Sequence, residues 1–148
     1  MATAAKAQPP ESMSSTAHSA HVDTFARDNL PPRELWPDFV FSRPEFQYPP
    51  RLNCVTRFVD RWVEEGRGDA PCIISPEVSY TYAELQALVN KIANVLVGKL
   101  GLIPGGRVLL RSANNPMMVA TYLAVIKAGG IVVATMPLLR AKELSYPI

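Results

Sequence analysis

The sequence predicts an α/β protein, a three-layer body whose partly parallel sheet is incomplete, preceded by a Pro-rich arm and tail. Three observations carry this prediction. From Asn53 onward, apolar residues at helical spacing alternate with short β-branched runs, the pattern of βαβ units. All 8 glycines follow Glu65, whereas 8 of the 14 prolines lie in residues 1–50. The runs Val108-Leu109-Leu110 and Ile131-Val132-Val133-Ala134 are continuous, as in parallel strands covered on both faces.

In chain order, residues 1–22 are rich in Ala, Ser, Thr, Pro and Gln and read as a disordered tail. The tail lacks the apolar run of a secretory signal; Glu11 and the absence of Arg argue against a transit peptide. Residues 23–52 mix Pro31-Pro32, Pro37, Pro44 and Pro49-Pro50 with Phe25, Trp36, Phe39, Phe41, Phe46 and Tyr48. Repeated prolines forbid a long helix or central strand, so this stretch is expected to be an irregular arm lying on the body.

Residues 53–148 carry the partial α/β body. Val55, Phe58, Val59, Trp62 and Val63 form one face of a helix that Asn53 caps and Gly66 ends. Cys72–Ser75 and Val78–Tyr80 flank Pro76-Glu77 as a hairpin. Thr81-Tyr82-Ala83-Glu84 is a capping box, opening a helix to about Leu100 whose apolar face is Leu85, Leu88, Val89, Ile92, Leu96 and Leu100. Pro104-Gly105-Gly106 leads into strand 108–110. Asn114-Asn115-Pro116 starts a helix with Pro at its first position, and Gly129 ends it before strand 131–134. That helix is apolar nearly all round, which predicts cover on more than one side.

Composition excludes several functions. Residues 1–50 hold 4 basic and 6 acidic side chains and residues 51–148 hold 11 and 7, and Arg51, Arg57, Arg61, Arg67, Lys91, Lys99, Arg107 and Arg111 are scattered. Neither half has the basic cluster of a nucleic-acid surface. Cys54 and Cys72 form no disulfide framework or zinc spacing and read as buried, reduced thiols of a cytoplasmic protein. His18 and His21 alone are too few ligands for a metal site. From Pro116 to Leu139 Lys127 is the single charge in 24 residues, but a mid-bilayer Lys costs about 2.5–3.5 kcal/mol and Gly129-Gly130 breaks the run, so no membrane span is expected.

Catalytic motifs are missing: there is no GxGxxG, GxxxxGK[ST], GxSxG or HExxH. Gly105-Gly106 and Gly129-Gly130 read as turns, not phosphate cradles. Lys127 suits the negative end of its helix, and Glu84 is accounted for by its cap. No side chain requires chemistry to explain it.

Three blocks nonetheless carry a resemblance: Ser79-Tyr80-Thr81-Tyr82-Ala83-Glu84-Leu85, then Gly101-Leu102-Ile103-Pro104-Gly105-Gly106-Arg107-Val108, then Ala124-Val125-Ile126-Lys127-Ala128-Gly129-Gly130-Ile131-Val132-Val133. In order and spacing they resemble the start of the AMP-forming adenylate superfamily, which includes acyl-CoA synthetases, peptide-synthetase adenylation domains and luciferases. Arg111-Ser112-Ala113-Asn114-Asn115-Pro116 and Ala134–Leu144 resemble more narrowly the benzoate and 2-aminobenzoate CoA ligase branch. The resemblance covers about residues 23–146 and implies the incomplete N-terminal subdomain of the adenylate-forming fold.

Two departures stand out. Gly106 replaces the acidic residue of the family's Pro-Gly-Asp-Arg turn, with little bearing on chemistry. Pro147 falls where a helix beginning at Ala141 should continue, and the chain then stops. Family members are several times longer; their Ser/Thr/Gly-rich phosphate loop, ribose-binding acid, hinge and catalytic lysine lie beyond this point. The resemblance thus implies an N-terminal fragment of an AMP-forming acid–thiol ligase, by itself inactive, with no catalytic, cofactor-binding or metal-binding residue. ATP, Mg²⁺, CoA and an aromatic carboxylate belong to the complete enzyme, and the missing remainder of the ligase is the expected partner. Two other readings stay open: a non-catalytic interaction module completed by a partner chain, and a nucleotide-binding α/β protein unrelated to ligases. In every case the uncovered strands and helix are expected to expose an apolar patch.

Overall fold

The computed structural model describes residues 19–37, 44–49 and 51–145. Most of the expected tail lies outside them, as do His18, Phe39, Phe41 and Pro147. The chain divides into two units, one built on Thr24–Leu52 and the other on Asn53–Ile148 together with Ala20–Asp23.

In the first unit prolines limit every helical element to a single turn. These are α1 (Phe25–Asp28) and two 3₁₀ turns, Arg33–Leu35 and Pro44–Phe46. The Trp36 indole Nε1–H donates to the Pro31 carbonyl at 2.8 Å. Arg33 lies 5.5 Å above the same ring, a cation–π contact across one turn.

The second unit begins at Asn53, whose Oδ1 accepts from the Val55 N–H at 3.1 Å. The regular helix expected here is instead a π segment, Thr56–Asp60, continued by helix α2 (Arg61–Glu64). Hydrogen bonding at i→i+5 puts an extra residue into the turn and rotates the face that follows. Val55 and Val59 are buried as expected, but Asp60 joins them, and Phe58, expected in the core, is 63% exposed.

Strands β1 (Pro71–Ile74) and β2 (Ser79–Thr81) pair antiparallel, as the hairpin reading requires. Helix α3 (Tyr82–Gly98) opens on the capping box: the Glu84 N–H donates to Thr81 Oγ1 at 3.2 Å, and the Thr81 N–H donates to Glu84 Oε2 at 2.8 Å. Trp62 stacks on Tyr82 with centroids 4.7 Å apart, joining α2 to the start of α3, and the Arg67 guanidinium lies over the Trp62 ring at 3.9 Å. Leu85, Val89 and Leu96 are buried, but Leu100 is exposed because α3 ends before it and the chain turns away at Gly101.

Strands β3 (Arg107–Arg111) and β4 (Ile131–Thr135) run parallel, with Arg107 opposite Ile131 and Arg111 opposite Thr135. Helix α4 (Pro116–Lys127) connects them, capped by Asn115 Oδ1 on the Met118 N–H at 2.8 Å. Its small residues Ala120 and Ala124, with Val125, are buried. A last turn, α5 (Ala141–Leu144), follows β4.

Among the described residues, β3 and β4 are covered on one face. Each sheet described has two strands, and one crossover helix shields one face. Val108 and Leu110 point to the covered side, while Leu109, Met117, Val119 and Tyr122 remain exposed. The apolar surface expected of an incomplete sheet is thus present.

Two outcomes test this fold. Thr81→Ala removes the cap acceptor and should cost about 1 kcal/mol in urea unfolding. The hydrogen bond from the Thr81 N–H holds the Glu84 carboxyl below the usual carboxylate range. The fold thus favours ionised Glu84, and this stability is present at neutral pH and lost as pH falls through the lowered value. Urea midpoints measured between about pH 6 and pH 3 should show that acid loss diminished in Glu84→Gln.

Second, Gly105 has φ 88°, and a Cβ there would lie 2.1 Å from the Asp23 carbonyl oxygen; at Gly66, with φ 76°, a Cβ meets nothing within 4 Å. Gly66→Ala should cost about 1–2 kcal/mol for backbone conformation alone. Gly105→Ala should cost more and accelerate hydrogen exchange of Val22 and Asp23, whose amides donate to the Pro104 carbonyl, both at 2.9 Å.

Candidate functional site

The two glycine pairs meet in space. The Gly105 N–H donates to the Gly129 carbonyl at 2.8 Å, and the Ile131 N–H donates to the Gly106 carbonyl at 2.8 Å. A Cβ on Gly130 would lie 3.0 Å from Val125 Cγ1 and 3.2 Å from the Gly106 oxygen. Protein atoms fill the space that glycine leaves open, so both pairs are packing turns and neither is a cradle for phosphate. The same turn is clasped from the N-terminal side by Asp23, whose carboxylate pairs with Arg107 at 3.2 Å.

Sequence reasoning missed the polar cluster beside these turns. Asp60 is 7% exposed; its Oδ1 accepts from Lys127 Nζ at 2.7 Å and from Gln86 Nε2 at 3.0 Å. One carboxylate oxygen thereby links the π segment, α3 and the end of α4. The assignment of Lys127 to its helix dipole alone is corrected: its charge is matched by a buried carboxylate. Asn53 Nδ2 donates to the Ile126 carbonyl at 2.9 Å on the same helix end. The missing signal was the π turn, because regular spacing turns Asp60 away from the core.

Of the other candidates, Cys54 and Cys72 are free thiols and half-buried, less enclosed than expected. Burial pushes the Cys72 thiol above its ordinary value, against a hydrogen bond with Tyr82 that lowers it, which favours the thiol over the nucleophilic thiolate. Glu84 is committed to its cap. Among the described residues no group of three or more His, Cys, Asp or Glu side chains converges. The glycine turns are filled by protein atoms.

The position best suited to ligands is the carboxyl edge of β3 and β4, since open α/β sheets bind ligands beyond that edge. Here lie Ser112–Asn115, leading into α4, and 136–140, leading into α5. Arg111 joins the two: its Nη2 donates to the Pro137 carbonyl at 2.7 Å and to the Leu139 carbonyl at 2.8 Å.

The pattern of capping box, glycine-bounded βαβ unit and carboxyl-edge loops has counterparts elsewhere. Residues 59–148 match the family of AMP-binding enzymes. The chain belongs to that family. The benzoate–CoA ligase of Thauera aromatica is 33% identical over 109 residues, spanning 74% of this chain and 21% of the ligase. The 3-hydroxybenzoate–CoA ligase of Aromatoleum sp. strain CIB is 32% identical over 97 residues, 66% of this chain and 18% of that ligase. Among solved structures, apo MatB from Rhodopseudomonas palustris superposes with a TM-score of 0.59 at 30% identity, over 65% of this chain and 19% of MatB. This AMP-binding chain spans about a fifth of the length of the curated relatives it matches. Among its described residues, no helix is long and apolar enough to cross a membrane.

The Asp60 cluster gives a direct test. Lys127→Met leaves the buried carboxylate without its cation and should destabilise the chain by about 3 kcal/mol. Adding Asp60→Asn removes the stranded charge, so the double variant should be more stable than Lys127→Met alone. Denaturant midpoints of the two variants measure the difference.

Proposed function

We propose that this chain is the N-terminal portion of an aryl-CoA ligase of the benzoate and 2-aminobenzoate type. The complete enzyme activates an aromatic carboxylate with ATP and Mg²⁺ to an acyl-adenylate and pyrophosphate, then passes the acyl group to CoA with release of AMP. The observation that carries this reading is the 33% identity to a benzoate–CoA ligase over 109 residues. Residues 53–148 are the start of its N-terminal α/β subdomain, 23–52 an arm and 1–22 a tail. The protein works in the cytoplasm, and these residues alone are inactive; the glycine turns filled by protein atoms support that reading. They serve as scaffold.

One observation favours a second reading, an interaction module completed by a partner chain: the exposed Leu109, Met117, Val119 and Tyr122 on the β3–α4–β4 unit. A graft separates the two. Residues 53–145 replace the matching segment of the Thauera aromatica benzoate–CoA ligase, and benzoate-dependent ATP–pyrophosphate exchange is measured. The graft should support exchange, and the 148-residue chain alone should not. Exchange by the chain alone, or a folded graft without exchange, overturns the ligase-scaffold reading.

A further inference from the structure

Two stretches carry the narrower likeness to benzoate and 2-aminobenzoate ligases, Arg111–Pro116 and Ala134–Leu144, and in the fold they are one physical unit. Arg111 is the last residue of β3, and Thr135, opposite it, is the last of β4. The loop that follows Thr135 contains Pro137, which has no N–H to offer a neighbouring strand. Its backbone closes on itself through the Leu139 N–H to the Met136 carbonyl at 3.2 Å. The stronger anchors come from Arg111, whose Nη2 holds the carbonyls of Pro137 and Leu139 at 2.7 and 2.8 Å. Hydrogen bonds from a charged donor are the stronger kind. Leu138 lies between the two held carbonyls and is 83% exposed; Met136, just before them, is 63% exposed. Both apolar side chains are therefore displayed at the carboxyl edge of the parallel strands, where ligands of open α/β sheets bind.

We propose that Arg111 is a positioning residue of the ligase: by holding Pro137 and Leu139 it fixes the 136–140 loop as a wall of the substrate crevice and so sets affinity for a substrate crossing that edge. This rests on the ligase reading. Arg111 touches no reacting atom in this role; it acts through the loop.

The test uses the grafted ligase and the 148-residue chain in parallel. In the graft, KM for benzoate, ATP and CoA and kcat are measured for Arg111→Gln and Arg111→Lys. Arg111→Gln should raise at least one KM about tenfold, the scale of a lost charged hydrogen bond, with kcat within about twofold. Arg111→Lys, which keeps a cationic donor, should recover part of the loss. In the 148-residue chain, exchange of the Leu139 amide should quicken about tenfold in Arg111→Gln. Three unchanged KM values, or a kcat that falls with the yield of folded enzyme while every KM holds, overturn the positioning role. Unchanged Leu139 exchange overturns the anchor itself. An inactive graft with Arg111 intact removes the ligase reading and the positioning role with it, while the exchange measurement still decides whether the anchor exists.

Discussion

Strands β3 and β4 are brought into register where two glycine pairs touch, and the rest of the α/β body follows from that contact. Parallel strands cannot be joined by a tight turn; they need a crossover, here α4. The Gly105 amide on the Gly129 carbonyl and the Ile131 amide on the Gly106 carbonyl align the starts of both strands. With Arg107 opposite Ile131, both strands run five residues and end level at Arg111 and Thr135. A Cβ at residue 130 would lie 3.0 Å from Val125 Cγ1 and 3.2 Å from the Gly106 oxygen, so the joint is packed tightly around glycine. The carboxyl edge is thus set by atoms at the opposite end of the strands.

The helical layer is fixed by different means. Asp60 is buried and accepts from both Lys127 and Gln86. Buried charges are tolerated when paired and hydrogen-bonded, and they reject arrangements that separate the partners. Lys127 sits immediately before the Gly129-Gly130 turn, so the carboxylate that pairs with it also steadies the turn on which strand register depends. Asn53, bonded to the Ile126 carbonyl, adds a second hold on the same helix end. Polar side chains at the end of α4 and glycines in the turn beyond it therefore act on one joint.

Much of this architecture was legible in the sequence because its signals are local. Thr81 and Glu84 form a reciprocal cap visible as a four-residue motif. Asn115-Pro116 marks a helix start, and Gly129 marks the end of that helix. What escaped depends on non-local or irregular geometry. The π turn at Thr56–Asp60 moved Phe58 out and Asp60 in, a rotation that regular spacing does not encode. The link from Arg111 to Pro137 and Leu139 spans more than twenty residues and leaves no trace in either stretch alone. Only the folded geometry brings the two stretches together.

In doubly wound folds the reacting groups come from loops at the carboxyl ends of several strands. The described residues hold two parallel strands and hence two such loops, 112–115 and 136–140. The stretch matched to its relatives is about a fifth of their length. A pair of loops can wall one side of a crevice but cannot surround a nucleotide. The side chains of Asp60, Lys127, Glu84 and Arg111 hold helices, turns and a loop in place and so fix the geometry of the carboxyl edge.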